Sequence, residues 1–336
     1  MKIIYLGTPE FAVLPLKKII ESKHKILAVV SQLDREKDKR GNLKPTAVKE
    51  FALSRSIEVL QYENVSSEGL EKIKELKPDC MITVAFGQIL SDEFLKIAPV
   101  YNIHASLLPK YRGSSPIQAA ILNGDTVAGV TIMQTVKKMD AGDIVLQDKI
   151  EIGKYEPFHS LHDRLSILGA DLIIKALDDI EAGKAILIPQ NEKEATTVKK
   201  ITKNDGKIDW SESAELIARK VYAYNPWPSA YTSYGEDSIK IFDARVVDVN
   251  NQKSAKKAHG NQENTTKAAK NSVILGITHG KILKSCQSDG ICVQCGQGIL
   301  QILSLQAAGK RRLAASEFLR GYSLSVGKEF GEVIAQ

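Results

Sequence analysis

The sequence predicts an α/β protein with an N-terminal, Rossmann-like, doubly wound and mostly parallel sheet, followed by a smaller β-rich domain. Strand-like and helix-like segments alternate up to about residue 183. The strand-like segments are apolar almost throughout, as in a parallel sheet covered by helices on both faces. Beyond that point, short strands separated by glycine turns favour a small barrel or sandwich. The 336 residues, 43% of them hydrophobic, suffice for two packed cores.

The first domain is predicted from apolar runs and helical spacing, in chain order. Its early segments are the strand KIIYLG, the helix FAVLPLKKIIES, the strand KILAVVSQ, the amphipathic helix EGLEKIKELKP and the strand DCMITVAFG. The later segments are the strand PVYNIHAS, the helix PIQAAILNG, the strands AGVTIMQTV and GDIVLQDKIEI, and a long helix from FHSLHDRL to DDIEAG. Such alternation is typical of strand–helix–strand units in one sheet.

The second domain follows a change of composition after Gly183. The charged stretch PQNEKEATTVKKITKNDGKID has few periodic apolar positions and is predicted as a linker. The helix SAELIARKVYAY comes next, and then the strands SAYTSY, IKIFDARVVDV, SVILGIT, GICVQCG and GILQILSLQ. Residues 250–272 have no aromatic side chains and are predicted as a mobile loop. The predicted limits are 1–188 for the first domain, 189–207 for the linker, 208–320 for the second domain and 321–336 for a C-terminal tail.

The net charge of +6 is concentrated near the C-terminus. Residues 251–336 carry 12 basic and 5 acidic residues, whereas residues 1–250 carry 34 and 35. This asymmetry indicates either a nucleic-acid partner or a solvated lysine-rich surface. Charges interrupt the apolar runs well before the roughly 20 residues of a membrane span. The start MKIIYLGTPEF is interpreted as a strand rather than an export signal, which predicts a cytoplasmic protein with reduced cysteines at 80, 286, 292 and 295.

The stretch NIHASLLPKYRGSSP, residues 102–116, holds the best candidates for chemistry. Asn102 and His104 are two apart in a predicted strand, so their side chains share one face at its C-terminal end, where open α/β sheets bind ligands. Imidazole accepts a proton near neutral pH, and an amide stabilises an oxyanion. Asp140 or Asp143 could orient the imidazole, and spacing does not choose between them. The alternative is a set of ordinary turn residues.

Other kinds of site are disfavoured. Gly7 stands alone where a dinucleotide fingerprint needs three spaced glycines. His159 and His162 have ligand-like spacing but are better explained as one face of a helix. The cysteines at 286, 292 and 295 lack a fourth ligand, which argues against structural zinc.

Longer motifs resemble a known family. The segments NIHASLLPKYRGSSPIQ and GVTIMQTVKKMDAGDIV resemble the 10-formyltetrahydrofolate-dependent formyltransferases. GTPEFA, VAFGQIL, IDWSESAELIARKVYAYNPWPSA and GILQILSLQAAGKR resemble the branch that formylates methionyl-tRNA. The resemblance implies a formyltransferase domain with an OB-like C-terminal β-barrel. It also implies formyl transfer from 10-formyltetrahydrofolate, as co-substrate, to the α-amino group of initiator methionyl-tRNA for translation initiation, by a monomeric enzyme without a metal.

The resemblance also assigns site residues. Its catalytic triad falls on Asn102, His104 and Asp140, which implies attack by the substrate amine through an oxyanion intermediate that Asn102 and His104 stabilise while Asp140 orients His104. It also implies a cis Leu108–Pro109 bond. The residues that border the folate pocket are Phe86, Gly87, Ile89, Leu90, Ser106, Leu107, Leu108 and Pro109. The residues for tRNA are Arg35, Lys39 and Arg40 in an inserted loop and Lys310, Arg311 and Arg312 near the C-terminus. Where relatives have Gly-Arg-Gly, this chain reads Lys39-Arg40-Gly41, so either cation is a candidate for the RNA contact.

Overall fold

The computed structural model describes residues 1–35, 41–247, 279–286 and 290–331. Lys39, Arg40, the predicted strand SVILGIT and the predicted 250–272 loop lie outside these residues. Contacts divide the chain into two compact units. The first unit comprises Met1–Ala120, Asp125–Gly153 and His159–Lys200. The second comprises Ile121–Gly124, Lys154–Phe158 and the chain from Ile201 onwards. The boundary at 200/201 falls inside the segment that the sequence predicts as a linker.

The first unit is built on a seven-stranded sheet with the order β3-β2-β1-β4-β5-β7-β8. Its strands are β1 Lys2–Gly7, β2 Lys25–Ser31, β3 Val59–Gln61, β4 Cys80–Val84, β5 Val100–His104, β7 Val127–Gln134 and β8 Ile144–Glu151. The neighbouring strands in the series β3-β2-β1-β4-β5 all pair in parallel. β5 pairs antiparallel with β7, and β7 pairs antiparallel with β8. The mostly parallel sheet is therefore confirmed.

Helices flank this sheet. They are α1 Val13–Glu21, α2 Ala47–Ser54, α3 Val65–Glu68, α4 Leu70–Leu76, α5 Asp92–Leu95, α6 Pro116–Asn123 and α7 Phe158–Glu181. All the side chains of β1 from Ile3 to Leu6 are fully buried, as expected for a central strand covered on both faces. A Cβ built on Gly169 of α7 would lie 2.9 Å from the side chain of Ile103. The long helix therefore packs directly against β5, the strand that carries Asn102 and His104.

The residues after the long helix also contain structure. β6 Arg112–Gly113 pairs in parallel with β9 Thr197–Val198 in a separate two-stranded ribbon. Residues 192–194 and 203–206 form single 3-10 turns. Residues 189–200 thus tie into the loop that follows β5, which the low hydrophobicity of this segment does not reveal.

The second unit has its own antiparallel sheet and core. Its strands are β10 Ala230–Tyr234, β11 Asp237–Val246, β12 Ile282–Cys286, β13 Gly290–Gln294, β14 Ile299–Ala307 and β15 Leu313–Ala314, and its helices are α8 Ala214–Ala223 and α9 Ala315–Gly321. The sheet order is β10-β11-β14-β13-β12, with β15 beside β14. The strand β12 was not predicted. Trp210, Ile217 and Phe318 are among the buried residues of this core.

Residues 327–331 bridge the two edges of this sheet. At the β12 edge, Gly327 N donates to Ile282 O and Ile282 N donates to Lys328 O, both at 2.8 Å. At the other edge, Gly331 N donates to Ser233 O of β10 at 2.8 Å. Phe330 stacks on Trp210 with ring centroids 5.6 Å apart. The described part of the predicted tail thus bonds to both edge strands, β12 and β10. It links the two edges of the sheet, as the predicted small barrel requires.

None of the described helices combines the length and the apolar character that crossing a membrane requires.

Candidate active site

The end of β5 presents Asn102 and His104. Asn102 lies opposite Thr83 of β4, and the Thr83 hydroxyl donates to Asn102 Oδ1 at 3.0 Å. That bond directs the amide nitrogen away from β4. Among the described residues, this amide nitrogen has no protein partner, and the side chain is only partly buried. Its two N–H groups are therefore available to an acceptor on a ligand.

His104 is buried, with only 6% of the residue exposed. Its Nε2 lies 2.9 Å from the backbone carbonyl of Tyr111. A carbonyl only accepts, so Nε2 carries a proton in this arrangement. In the neutral ring the lone pair is then on Nδ1. Nδ1 lies 3.8 Å from Asp140 Oδ2, which is too long for a direct hydrogen bond.

The carboxylate near His104 belongs to Asp140. Among the described residues, Asp140 is the only acidic residue with a carboxylate oxygen within 4 Å of an imidazole nitrogen of His104. Asp140, rather than Asp143, therefore lies beside the ring. Asp140 Oδ2 also accepts from Gly113 N at 2.7 Å. The residue has φ +49°, a left-handed conformation that non-glycine residues adopt infrequently.

Tyr111 holds the imidazole through its carbonyl and is itself fixed by two hydrogen bonds. Its φ is +62°, its amide donates to Thr196 Oγ1 at 2.8 Å, and its hydroxyl donates to Asp125 Oδ2 at 2.7 Å. The tautomer of His104 therefore depends on a loop anchored by residues distant in the sequence.

The 106–109 segment, predicted to border a folate pocket, is tied to the antiparallel strands. Ser106 and Leu108 are buried, Leu107 and Pro109 are half-buried, and the Leu108–Pro109 bond is cis, which confirms that prediction. Thr131 Oγ1 donates to Ser106 O at 2.6 Å, and Leu108 N donates to Thr131 Oγ1 at 3.1 Å.

The other predicted folate segment is the loop after β4. Phe86 and Leu90 are buried, whereas Ile89 is 81% exposed and Gly87 has φ +84°. Gln32 Nε2 donates to the Phe86 carbonyl at 3.1 Å, and Thr8 Oγ1 to the same oxygen at 3.2 Å. The loop thus has a fixed base and an exposed apolar side chain.

The predicted tRNA residues are exposed wherever they are described. Arg35 pairs with Glu63 at 3.2 Å. Lys310, Arg311 and Arg312 lie in the turn between β14 and β15, and the Arg312 guanidinium lies 4.7 Å from the ring centre of Phe242. Lys39 and Arg40 lie outside the described residues.

Several polar residues around the site were missed from the sequence. They are Thr83, Arg112, Thr131, Gln147 and Gln190. Thr83 and Thr131 interrupt apolar strands at buried positions, and this was an available signal. Arg112 is 4% exposed, but neither its burial nor its contact with Gln190, 78 residues away, leaves a periodic trace.

None of the cysteines at 80, 286, 292 and 295, which all lie in the described part of the chain, forms a disulfide. Burial raises the pKa of the Cys80 and Cys295 thiols to about 12. One group of possible metal ligands lies together among the described residues, namely His24, Asp178 and Glu181. Both of its carboxylates already pair with Lys23, at 2.8 and 3.0 Å.

The chain matches two families in succession. Residues 1–177 match the family described as Formyl transferase, and residues 200–323 match Formyl transferase, C-terminal domain. A methionyl-tRNA formyltransferase from Sulfurihydrogenibium sp. (strain YO3AOP1) is 38% identical, over 98% of this chain and 100% of that protein. One from Enterococcus faecalis is 39% identical, over 98% of each.

Solved structures share the fold at lower identity. An N-formyltransferase from Helicobacter canadensis, in complex with folinic acid and dTDP-3-aminofucose, aligns with a TM-score of 0.63 and 18% identity, over 90% of this chain and 98% of that one. HypX from Aquifex aeolicus, in complex with tetrahydrofolic acid, gives 0.59 and 18%, over 98% and 50%.

Proposed function

The chain belongs to the methionyl-tRNA formyltransferase family, and we propose that Asn102, His104 and Asp140 carry out its reaction. The enzyme transfers a formyl group from 10-formyltetrahydrofolate to the α-amino group of methionyl-tRNA. The observation that carries the assignment is the position of His104, with one ring nitrogen fixed by Tyr111 and the other facing Asp140.

The reaction needs a proton acceptor and an oxyanion donor. The α-amino nitrogen forms a bond to the formyl carbon, and the bond from that carbon to the folate nitrogen breaks. The amine loses one proton, and the folate nitrogen gains one. His104 Nδ1 takes up the amine proton and returns it to the leaving nitrogen, because Nε2 is already bonded to Tyr111 O.

Asn102 and Asp140 support that exchange. The Asn102 amide donates to the formyl oxygen as it becomes negative. The Asp140 carboxylate stabilises the imidazolium that forms 3.8 Å away. No nucleophilic side chain of the protein is required, because the attacking group belongs to the substrate.

The proposal also covers the residues that would bind folate and tRNA, the oligomeric state and the cellular compartment. The segments 86–90 and 106–109 would border the folate, with Ile89 offering an exposed apolar surface to it. Arg35, Lys39, Arg40 and residues 310–312 would bind initiator tRNA phosphates. The enzyme would act as a monomer in the cytoplasm, and light scattering coupled to size-exclusion chromatography tests the oligomeric state.

The acceptor is tested by a formylation assay. The purified protein, given 10-formyltetrahydrofolate, should form formyl-methionine on methionyl-tRNA and should not formylate free methionine at a comparable rate. Sugar N-formyltransferases of similar fold provide the alternative acceptor, a dTDP-amino sugar. Transfer to that sugar but not to methionyl-tRNA would overturn the proposal.

A further inference from the structure

The side-chain amide of Gln190 uses every hydrogen-bonding group that it has. Its Nε2 donates to the backbone carbonyls of Asp140 at 2.8 Å and Gly142 at 2.7 Å. Its Oε1 accepts from Arg112 Nε at 3.0 Å and Nη2 at 2.9 Å. An amide offers two N–H donors and one oxygen with two lone pairs, so this side chain is saturated.

Arg112 gives Gln190 a rigid support. The arginine is 4% exposed, and its guanidinium also bonds to Glu192, through Nη1 at 3.2 Å and Nη2 at 2.9 Å. Hydrogen bonds from Arg112 and Lys138 lower the pKa of Glu192 to about 2. The buried positive charge is therefore compensated, and the bidentate geometry fixes the plane of the guanidinium.

The two residues of β6, Arg112 and Gly113, help to hold both the side chain and the backbone of Asp140. Gly113, the residue after Arg112, donates its amide to the Asp140 carboxylate at 2.7 Å. Gln190 links Arg112 to the Asp140 carbonyl, because its Oε1 accepts from the guanidinium and its Nε2 donates to that carbonyl. An aspartate with the left-handed φ of +49° has a conformational free-energy cost, and it keeps this conformation only where neighbouring groups hold it. The hydrogen bonds from Gly113 and Gln190 hold Asp140 in this way.

We propose that Gln190, supported by Arg112, is a positioning residue for the reaction. It holds the backbone at Asp140 so that the carboxylate stays beside His104. The inference rests on the catalytic role of Asp140 under the proposed function. The hydrogen bonds of the Gln190 side chain reach neither His104 nor Asn102, whereas one of them ends on the Asp140 backbone, so we expect its effect on turnover to pass through Asp140.

Two variants separate positioning from general stability. Gln190→Glu keeps the volume and the acceptor for Arg112 but, when ionised, donates nothing to the two carbonyls. Gln190→Ala removes the whole link. Each should lower kcat by about tenfold or more, with both KM values within about twofold, because a small displacement of a catalytic group costs turnover rather than binding.

The decisive measurement is a double-mutant cycle with Asp140→Asn. If Gln190 acts through the carboxylate, Gln190→Ala in the Asp140→Asn background should lower kcat by less than about twofold. The matched control is Gln294→Glu, because Gln294 Nε2 also donates to two backbone carbonyls, those of Cys295 and Gly298, in the second unit. This control should keep wild-type kcat.

The outcomes distinguish the two claims. A full kcat in Gln190→Ala, with Asp140→Asn impaired, overturns this inference alone. An equal loss of kcat in both backgrounds also overturns it, because that result indicates a structural role. Full activity of Asp140→Asn would overturn the catalytic assignment itself, and the positioning role with it.

Discussion

At the scale of single residues, the chemistry of His104 is set by a backbone group. The Tyr111 carbonyl accepts from Nε2, so the two ring nitrogens have different tasks. One nitrogen orients the ring, and the other, beside Asp140, is the one that we propose for proton transfer. A side-chain partner at Nε2 could be exchanged by a single mutation, whereas this carbonyl depends on the whole 105–113 loop.

The oxyanion-donor role that we propose for Asn102 predicts the effect of Asn102→Asp. The carboxylate has nearly the same shape but no N–H group, and its charge opposes an oxyanion. We expect kcat to fall by about 100-fold or more, as for loss of an oxyanion donor, with KM values nearly unchanged. Steady-state kinetics with both substrates measure this.

The matched control is Asn64→Asp. The Asn64 side chain caps helix α3 by accepting from Ser66 N, and aspartate caps equally well. An Asn102→Asp enzyme that turned over as fast as Asn64→Asp would rule out the oxyanion role.

The sequence alone predicted some of these residues and missed others for a physical reason. Asn102 and His104 share a strand, and the two-residue repeat of a strand puts them on one face. The choice between Asp140 and Asp143 depends on the path of a loop, which has no such repeat. Gln190 is 50 residues from Asp140, and nothing in its neighbours along the chain marks that contact.

At the scale of elements, the loop from β7 to β8 is shaped by a close approach. A Cβ on Gly142 would lie 1.7 Å from the Gln134 carbonyl oxygen. Gly142→Ala must therefore shift the loop that carries Asp140. We expect a loss of kcat of about 10-fold or more, because displacing a catalytic group costs proximity. Kinetics and a melting curve measure the two effects separately.

Gly321→Ala is the comparison for that experiment. A Cβ there meets no atom within 4 Å, so both activity and melting temperature should stay near the wild type. Wild-type kcat in Gly142→Ala would show that the loop accommodates the side chain without moving Asp140.

The ion pairs of Glu192 with Arg112 of β6 and with Lys138 predict an effect of pH on stability. Bonding to Arg112 and Lys138 lowers the pKa of Glu192 from 4.5 to about 2 in the folded protein. A carboxylate with a depressed folded pKa stabilises the fold above its unfolded pKa and loses this contribution as pH falls through the folded pKa. Glu192→Gln should therefore be less stable than the wild type at pH 7, and the difference should shrink between pH 4.5 and about 2.

Denaturant titrations at several pH values measure this difference in the free energy of unfolding. A difference that stayed constant down to pH 2 would show that the ionised carboxylate is not its source.

In the first unit, the strands that the sequence predicted are those with apolar runs. β1, β2, β4, β5, β7 and β8 have them, and so does the 24-residue helix α7. β3, β6 and β9 have three, two and two residues, too few for any periodicity. β6 and β9 nevertheless hold Asp140 through Gly113, so part of the site depends on elements without a sequence signal.

At the scale of the whole molecule, the positive charge near the C-terminus predicts how the enzyme binds RNA. Neutralising Lys310, Arg311 and Arg312 to Gln should raise the KM for methionyl-tRNA with little change in kcat, since these exposed residues lie in the second unit. The slope of log affinity against log salt should decrease by about 0.7 to 0.9 for each phosphate that the variant no longer neutralises. Kinetics at two salt concentrations measure both effects.

Neutralising Lys74, Lys77 and Lys96, which are exposed on the first unit, gives the control for net charge. If both triple variants weakened tRNA binding equally, the effect would reflect total charge rather than a site in the second unit. Loss of kcat alone in the 310–312 variant would also contradict the assignment.

The central claim is that His104, between Tyr111 and Asp140, exchanges the proton in formyl transfer to methionyl-tRNA. It is tested most directly by the single-turnover rate of His104→Ala, with enzyme in excess over methionyl-tRNA and saturating 10-formyltetrahydrofolate. We expect the rate to fall by about 100-fold or more, as for loss of a general base, while the Kd for tRNA and the melting temperature stay near the wild type. The exposed His159, changed to alanine, should leave the rate unchanged. A His104→Ala rate equal to that of His159→Ala would contradict the account.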